Sequence, residues 1–158
     1  MRWLEQSWRT RVVARVDEVP RLRNEVVALV EQECPEADLE AVALIATELV
    51  VNVVRHAYPD GTPGLVEVDV DRASTGEAAV TVRDWGRGFH ACPTLGTGLG
   101  IVANLSGTLR IESTTERTEV RAQIPTVAPP TPPSACVSGL ADRELFRVSQ
   151  GRTVFHRR

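Results

Sequence analysis

Residues 40–58 read EAVALIATELVVNVVRHAY, and the order of apolar and polar positions in that stretch decides what the rest of the chain can build. Leu39, Val42, Ala46, Leu49 and Val53 recur at helical spacing, while Val50, Val51 and Val54 widen the apolar surface around most of the circumference. The spacing predicts a buried helix. Glu48, Asn52, Arg55 and His56 interrupt it, and at about 100° per residue they fall on one stripe roughly opposite the core stripe.

A polar group withdrawn from water costs on the order of 1–3 kcal/mol unless something satisfies it. A single Glu or Asn on a helix usually meets that need by facing water. A carboxylate, an amide and two potential cations on successive turns suit a second role, the grip on a magnesium-bound phosphate. The amide oxygen is a hard ligand for Mg²⁺, the carboxylate can orient or deprotonate a nucleophile, and guanidinium and imidazole can meet phosphate oxygens. The stripe alone leaves both readings open.

The 158 residues are 42% hydrophobic, which suits one compact domain and a tail. All eighteen basic side chains are arginine, set against twenty-one acidic ones, so no clustered positive charge marks nucleic acid as the main partner. The absence of lysine also excludes a Walker A phosphate loop. Cys34, Cys92 and Cys136 are odd in number and lack CxxC spacing, which indicates neither a disulfide framework nor a zinc site. With no signal peptide and no apolar run of membrane-spanning length, a reducing cytoplasm is the expected location.

The trypeptophan-bearing residues 1–9 show no clear period; residues 9–16 then alternate as a strand with Val12, Ala14 and Val16 on one face. Asp17 is placed to cap a helix with Pro20 in its first turn, which runs through Leu22, Val26, Leu29 and Val30 and ends at Pro35. The central helix follows, capped by Asp38 and stopped before Pro59, Asp60, Gly61 and Gly64. Leu65–Asp71 and Ala78–Asp84 alternate as an antiparallel hairpin around Ser74, Thr75 and Gly76. A short helix over Leu99–Leu105 and alternating strands over Thr108–Ser113 and Thr118–Ile124 complete a domain that closes near residue 125. The run PTVAPPTPP over 125–133 reads as a stiff spacer, with 126–133 as the linker proper. Residues 134–158 are expected to be a disordered extension, a docking peptide or an arm covering an open sheet edge, and Ala141–Val148 has the pattern of a marginal helix.

Two glycine clusters follow the hairpin. DWGRGF puts Asp84 at a strand end with Gly86 and Gly88 in the turn beyond it. Glycines admit close approach of backbone to a flat ligand, and a carboxylate in that corner can accept hydrogen bonds from an exocyclic amine such as adenine's. LGTGLGI opens the helix at Leu99, where exposed N–H groups favour phosphate. Each cluster by itself is also an ordinary turn or hinge, and the second fails as a Rossmann fingerprint because no strand precedes it. The ordered set E-x₃-N-x₃-H, DxGxG, GxGxG is far more specific than any of its parts.

ATELVVNVVRHAY, VRDWGRGF and GTGLGI resemble the N, G1 and G2 boxes of the GHKL ATPases, over about residues 9 to 125. The EL-x₂-N-x₃-H-A-Y wording most resembles bacterial anti-sigma-factor serine/threonine kinases. The resemblance implies a Bergerat α/β sandwich: helices on one face of a mixed, mostly antiparallel sheet, with ATP between the central helix and the glycine loops. It implies Asn52 as magnesium ligand, Glu48 as general base, Asp84 as the adenine-binding carboxylate and Thr118 beside the adenine. Arg55 and His56 become phosphate-side contacts, and Gly86, Gly88, Gly96, Gly98, Leu99 and Gly100 the loops around the nucleotide. Two departures stand out. Only seven residues separate Gly88 from Gly96, a short lid, and Trp85 places an indole inside the G1 box, where surface cover is favoured over lining the adenine site.

The function implied is an ATP- and Mg²⁺-dependent kinase that binds a sigma factor and phosphorylates its antagonist protein, with homodimerisation compatible and neither nucleic acid nor membrane bound directly. The alternative is a non-catalytic ATP-binding module acting by sequestration of its partner. The ATPase part of a sensor kinase ranks below both, because no dimerisation helix with a phosphoacceptor histidine precedes the domain.

Overall fold

The computed structural model describes residues 7–73, 76–88, 96–127, 147–149 and 152–156. In chain order the elements are β1 (Trp8–Val13), α1 (Glu18–Glu33), α2 (Leu39–His56), β2 (Leu65–Arg72), β3 (Ala78–Asp84), α3 (Thr97–Leu105), β4 (Thr108–Ser113), β5 (Thr118–Gln123), β6 (Arg147–Ser149) and β7 (Arg152–His156). Helix α2 starts where the Asp38 carboxylate accepts the Ala41 N–H at 3.1 Å. Five of its residues are valines, Val42, Val50, Val51, Val53 and Val54, which disfavour a helix by up to about 0.7 kcal/mol each. Burial decides the conformation, since Val42, Ile45, Leu49, Val50 and Val53 are all buried and each contributes about 1.5–3 kcal/mol against exposure.

The sheet order is β1-β2-β3-β5-β4-β7-β6, and every described pairing is antiparallel, so the parallel component implied by a mixed sheet is absent among the described residues. Helices α1, α2 and α3 share one core with the inner face, where Val66, Val68, Val80, Val82, Val120, Ala122, Leu109 and Ile111 alternate inward. The fold is the two-layer α/β sandwich that the resemblance implies, with the helices on one face of the sheet.

The helix-free face is held by ions. Register places Arg11, Glu67, Arg83 and Glu119 in one cross-strand row of alternating sign. Arg11 donates to Glu67 at 3.0 and 2.6 Å, and Arg83 donates to Glu67 at 3.1 Å and to Glu119 at 2.6 Å. Glu67 and Asp69 are 3% and 2% exposed beneath these arginines. Burial alone would raise the Glu67 carboxyl, but Arg11, Arg9 and Arg83 hold it below the ordinary carboxylate value.

Three local readings are corrected. β1 ends at Val13, so Val16 sits beyond the strand and is 76% exposed, while Ala14 is buried as expected. Asp17 occupies the N-cap position of α1 without a capping bond, because its carboxylate accepts from Arg15 Nε at 3.1 Å. In the extension it is the expected helix that is corrected, since part of this segment lies as an arm on the sheet edge: β7 pairs with β4 (Leu109 opposite Phe155, Ile111 opposite Thr153), and β6 pairs with β7. Residues 147–149 are therefore extended where a helix ending at Val148 was expected, and residues 141–146 of that helix lie outside the described residues. Hydrogen bonding to β4 outweighs a helix too short to persist alone. The chain leaving β5 is also tied down, with Asp38 N donating to Pro125 O at 2.9 Å and Val127 N to Glu36 O at 2.8 Å.

A chain ended at Val127 loses the strand that covers β4. Amides in the peptide spanning Thr108–Ser113 should then exchange faster with deuterium than in the full chain; unchanged protection would show that β7 does not pair there in solution.

Candidate functional site

A cavity of about 450 Å³ opens between the polar edge of α2, the end of β3, the start of β5 and the first turn of α3. That volume falls within the range of about 300–1,000 Å³ typical of small-molecule sites. Glu48, Asn52, Arg55 and His56 all line it, so the stripe faces a hollow instead of protein. Glu48 and Asn52 are half-buried and Arg55 and His56 exposed. None of the four side chains has a hydrogen-bond or ion-pair partner among the described residues. Eight residues separate Glu48 from His56, about 12 Å along the axis at about 1.5 Å per residue.

The far end of the cavity is built by strand register. β3 and β5 pair so that Asp84 lies opposite Thr118, which brings together two residues thirty-four positions apart in sequence. They are 5% and 4% exposed. Asp84 Oδ1 accepts the Gly86 N–H at 3.0 Å, and the Thr118 and Ser113 hydroxyls lie 3.2 Å apart. Burial pushes the Asp84 carboxyl above its ordinary value, and the Gly86 N–H offsets part of that rise.

The same loop is fastened to the end of α2. Arg87 N donates to Ala57 O at 3.0 Å and Arg87 Nε to His56 O at 3.1 Å. A Cβ on Gly86 would collide with the Ala57 carbonyl, so glycine is required for this approach. Tyr58 completes the corner, its hydroxyl donating to Leu65 O at 2.6 Å and accepting from Trp85 N at 3.1 Å.

At the opposite end a Cβ on Gly98 would run into the Glu48 carboxylate, which places that carboxylate against the opening turn of α3. Gly96, Gly98 and Leu99 line the cavity there, where free helix N–H groups favour an anion.

Of the residues singled out from sequence, Glu48, Asn52, Arg55, His56, Asp84, Gly88, Gly96, Gly98, Leu99 and Thr118 border the cavity. Gly86 and Gly100 do not: the first packs on Ala57, and the second lies inside α3, its N–H bonded to Gly96 O at 2.9 Å. Val51, Ala57, Arg87 and Thr97 line the cavity without having been singled out. Arg87 carried a signal, since it stands between the two glycines of DxGxG. Trp85 faces away, 39% exposed, with the Arg11 guanidinium 4.7 Å from its ring centre. The seven residues of the short lid lie outside the described residues.

A second cavity, of about 610 Å³, lies near Cys34, Arg72 and Gln123. Its polar groups engage one another, Arg72 donating to Glu33 O, Gly76 O and Glu36, and Gln123 to Glu77. Burial raises the Cys34 thiol above its usual value and keeps it protonated. At the first cavity, by contrast, the side chains of Glu48, Asn52, Arg55 and His56 have no partner among the described residues.

The profile of the histidine kinase-like ATPase domain matches residues 12–124. No curated protein matches the chain. A structure of the RsbU and RsbW domains of Rv1364c from Mycobacterium tuberculosis superposes with a TM-score of 0.60 at 20% identity, covering 78% of this chain and 33% of that one. The histidine kinase domain of the blue-light activated histidine kinase EL346 from Erythrobacter litoralis superposes at 0.50 with 22% identity, covering 68% of this chain and 65% of that one. This chain thus spans about a third of the first structure's length and about two thirds of the second's, and at these identities the likeness is one of fold. No helix among the described residues is long and apolar enough to cross a membrane.

Asp84→Asn tests the buried carboxyl. Folding favours the protonated form, so its contribution is full below the unfolded value and is lost as pH rises through the raised folded one. The unliganded variant should melt above the parent at pH 7, with the gap closing towards pH 4; a pH-independent difference would show that burial does not control this group.

Proposed function

The chain belongs to the histidine kinase-like ATPase domain family, and on that premise we propose that it is an ATP-dependent protein serine/threonine kinase that binds a sigma factor and phosphorylates the factor's antagonist protein. The observation that carries this reading is the convergence of Glu48, Asn52, Asp84 and Thr118 with the start of α3 on one cavity. The finer part, anti-sigma-factor kinase over other members, rests on the EL-x₂-N-x₃-H-A-Y wording at residues 48–58.

The two ends of the cavity suit the two ends of ATP. Asp84 and Thr118 take the edge of the adenine, the carboxylate oxygen not bonded to Gly86 accepting from its amine. The N–H groups opening α3, beside Glu48, take the phosphates, with the long Arg55 side chain reaching towards them from α2.

Magnesium fits this donor set. Among the described residues no three His, Cys, Asp or Glu side chains cluster as a metal cage, whereas Asn52 offers a single amide oxygen from the cavity wall. Mg²⁺ commonly takes one or two protein ligands and fills its remaining positions with phosphate and water. When bound there it would neutralise phosphate charge.

Glu48 lies at the phosphate end beside Gly98, free to accept the proton of an incoming serine or threonine hydroxyl as that oxygen attacks the γ-phosphorus and the bond to the β–γ bridging oxygen breaks, with ADP leaving. Phosphoryl transfer asks chiefly for positioning and charge stabilisation, and the cavity supplies both.

Asn52→Ala should abolish Mg²⁺-ATP binding measured by calorimetry, and an unchanged affinity would refute the metal-ligand role. Glu48→Gln should keep ATP affinity but slow phosphoryl transfer to the antagonist protein by about a hundredfold or more. A Glu48→Gln chain that still restrains its sigma factor as fully as the parent, with no phosphotransfer from either form, would favour the sequestering module.

A further inference from the structure

We propose that Arg87 recognises the base of the bound nucleotide, its guanidinium plane lying against the face of the purine. This rests on the nucleotide reading of the cavity given above and adds a residue to it.

Arg87 is fixed twice over. Its main-chain N–H and its Nε–H grip the carbonyls of Ala57, the C-cap of α2, and His56, the last residue of that helix. The first bond sets where the residue sits and the second sets the direction of its side chain. Both Nη groups have no partner among the described residues, although the side chain borders the cavity. A guanidinium held by Nε alone keeps its plane and both outer amino groups for a ligand.

Its position selects which part of the ligand it meets. Arg87 is three residues from Asp84 and is bonded to the end of α2 that carries His56. The Glu48 carboxylate and the start of α3 lie eight residues back along that helix, about 12 Å away. The cation therefore stands at the base end, with the phosphate end served by Arg55 and the α3 N–H groups. Asp84 and Thr118 approach a purine along its edge and leave a face to be covered. A planar cation over an aromatic face is the pairing that arginine makes best. Nearby Trp85 makes such a pairing with Arg11 on the other side of the sheet and is not available to cover the base.

The test measures binding of AMP, ADP and ATP with Mg²⁺ by calorimetry to the full chain and to Arg87→Met and Arg87→Lys. With a contact to the base, Arg87→Met should weaken all three nucleotides by the same factor, about tenfold. Arg87→Lys should not restore the affinity, because an ammonium has neither the plane nor the Nε anchor. A loss that grows from AMP to ATP, or recovery by lysine, would make Arg87 a phosphate contact and overturn the proposal, as would unchanged affinity in the methionine variant. Folding is checked by the melting temperature of the unliganded variants. If the methionine form does not fold, Arg87→Gln keeps a planar head without the charge and carries the same expectation of an equal loss across the three nucleotides. Failure of the parent chain to bind any of them would instead strike at the nucleotide reading itself.

Discussion

The structure depends on one constraint: helix α2 must bury one side fully while keeping the other half-wet. Val42, Ile45, Leu49, Val50 and Val53 seat it among α1, α3 and the inner face of the sheet, which fixes its rotation about its own axis. Once that rotation is set, Glu48, Asn52, Arg55 and His56 have only the side left by the sheet's edge and the glycine loops. The polar edge is tolerated because it opens on a cavity where water or a ligand can solvate it.

Holding the cavity open falls to the junction between β3 and the end of α2. Gly86 against Ala57, Arg87 on the Ala57 and His56 carbonyls, and Tyr58 between Leu65 and Trp85 tie the loop after Asp84 to the helix end. These are short-range hydrogen bonds at a crowded corner, so the position of Asp84 relative to the α2 edge has little freedom. The burial that raises the Asp84 carboxyl follows from the same crowding. A buried carboxylate with one oxygen committed to Gly86 and the other left for a ligand in the cavity it lines is well suited to a neutral donor such as an amine.

The outer face of the sheet solves a different problem. No described helix covers it, yet Glu67, Asp69 and Thr81 are nearly inaccessible there. Arginines from β1, β3 and β5 lie across the carboxylates and screen them from water, so the face is closed by its own side chains. Exclusive use of arginine for positive charge suits this role, since a planar fork can bridge two carboxylates as Arg83 does between Glu67 and Glu119.

Much of this was legible in the residue pattern. Periodicities near 3.6 and 2 located α1, α2, β2, β3, β4 and β5 within a few residues, and the spacing of Glu48, Asn52 and His56 placed them on one edge, because both are consequences of local backbone geometry. Local pattern also named Asp84, Gly88, Gly96 and Gly98, which form the other wall of the cavity, together with Gly86 and Gly100, which do not border it. What tertiary structure alone decided is longer in range. The Asp84–Thr118 adjacency follows from strand register, the assignment of Arg87 to the cavity from two hydrogen bonds to a helix end, and the extended state of residues 147–149 and 152–156 from an edge strand that offered partners. A sequence lists the donors and acceptors, but which of them meet depends on how the elements pack, and packing energy is summed over contacts distant in the chain.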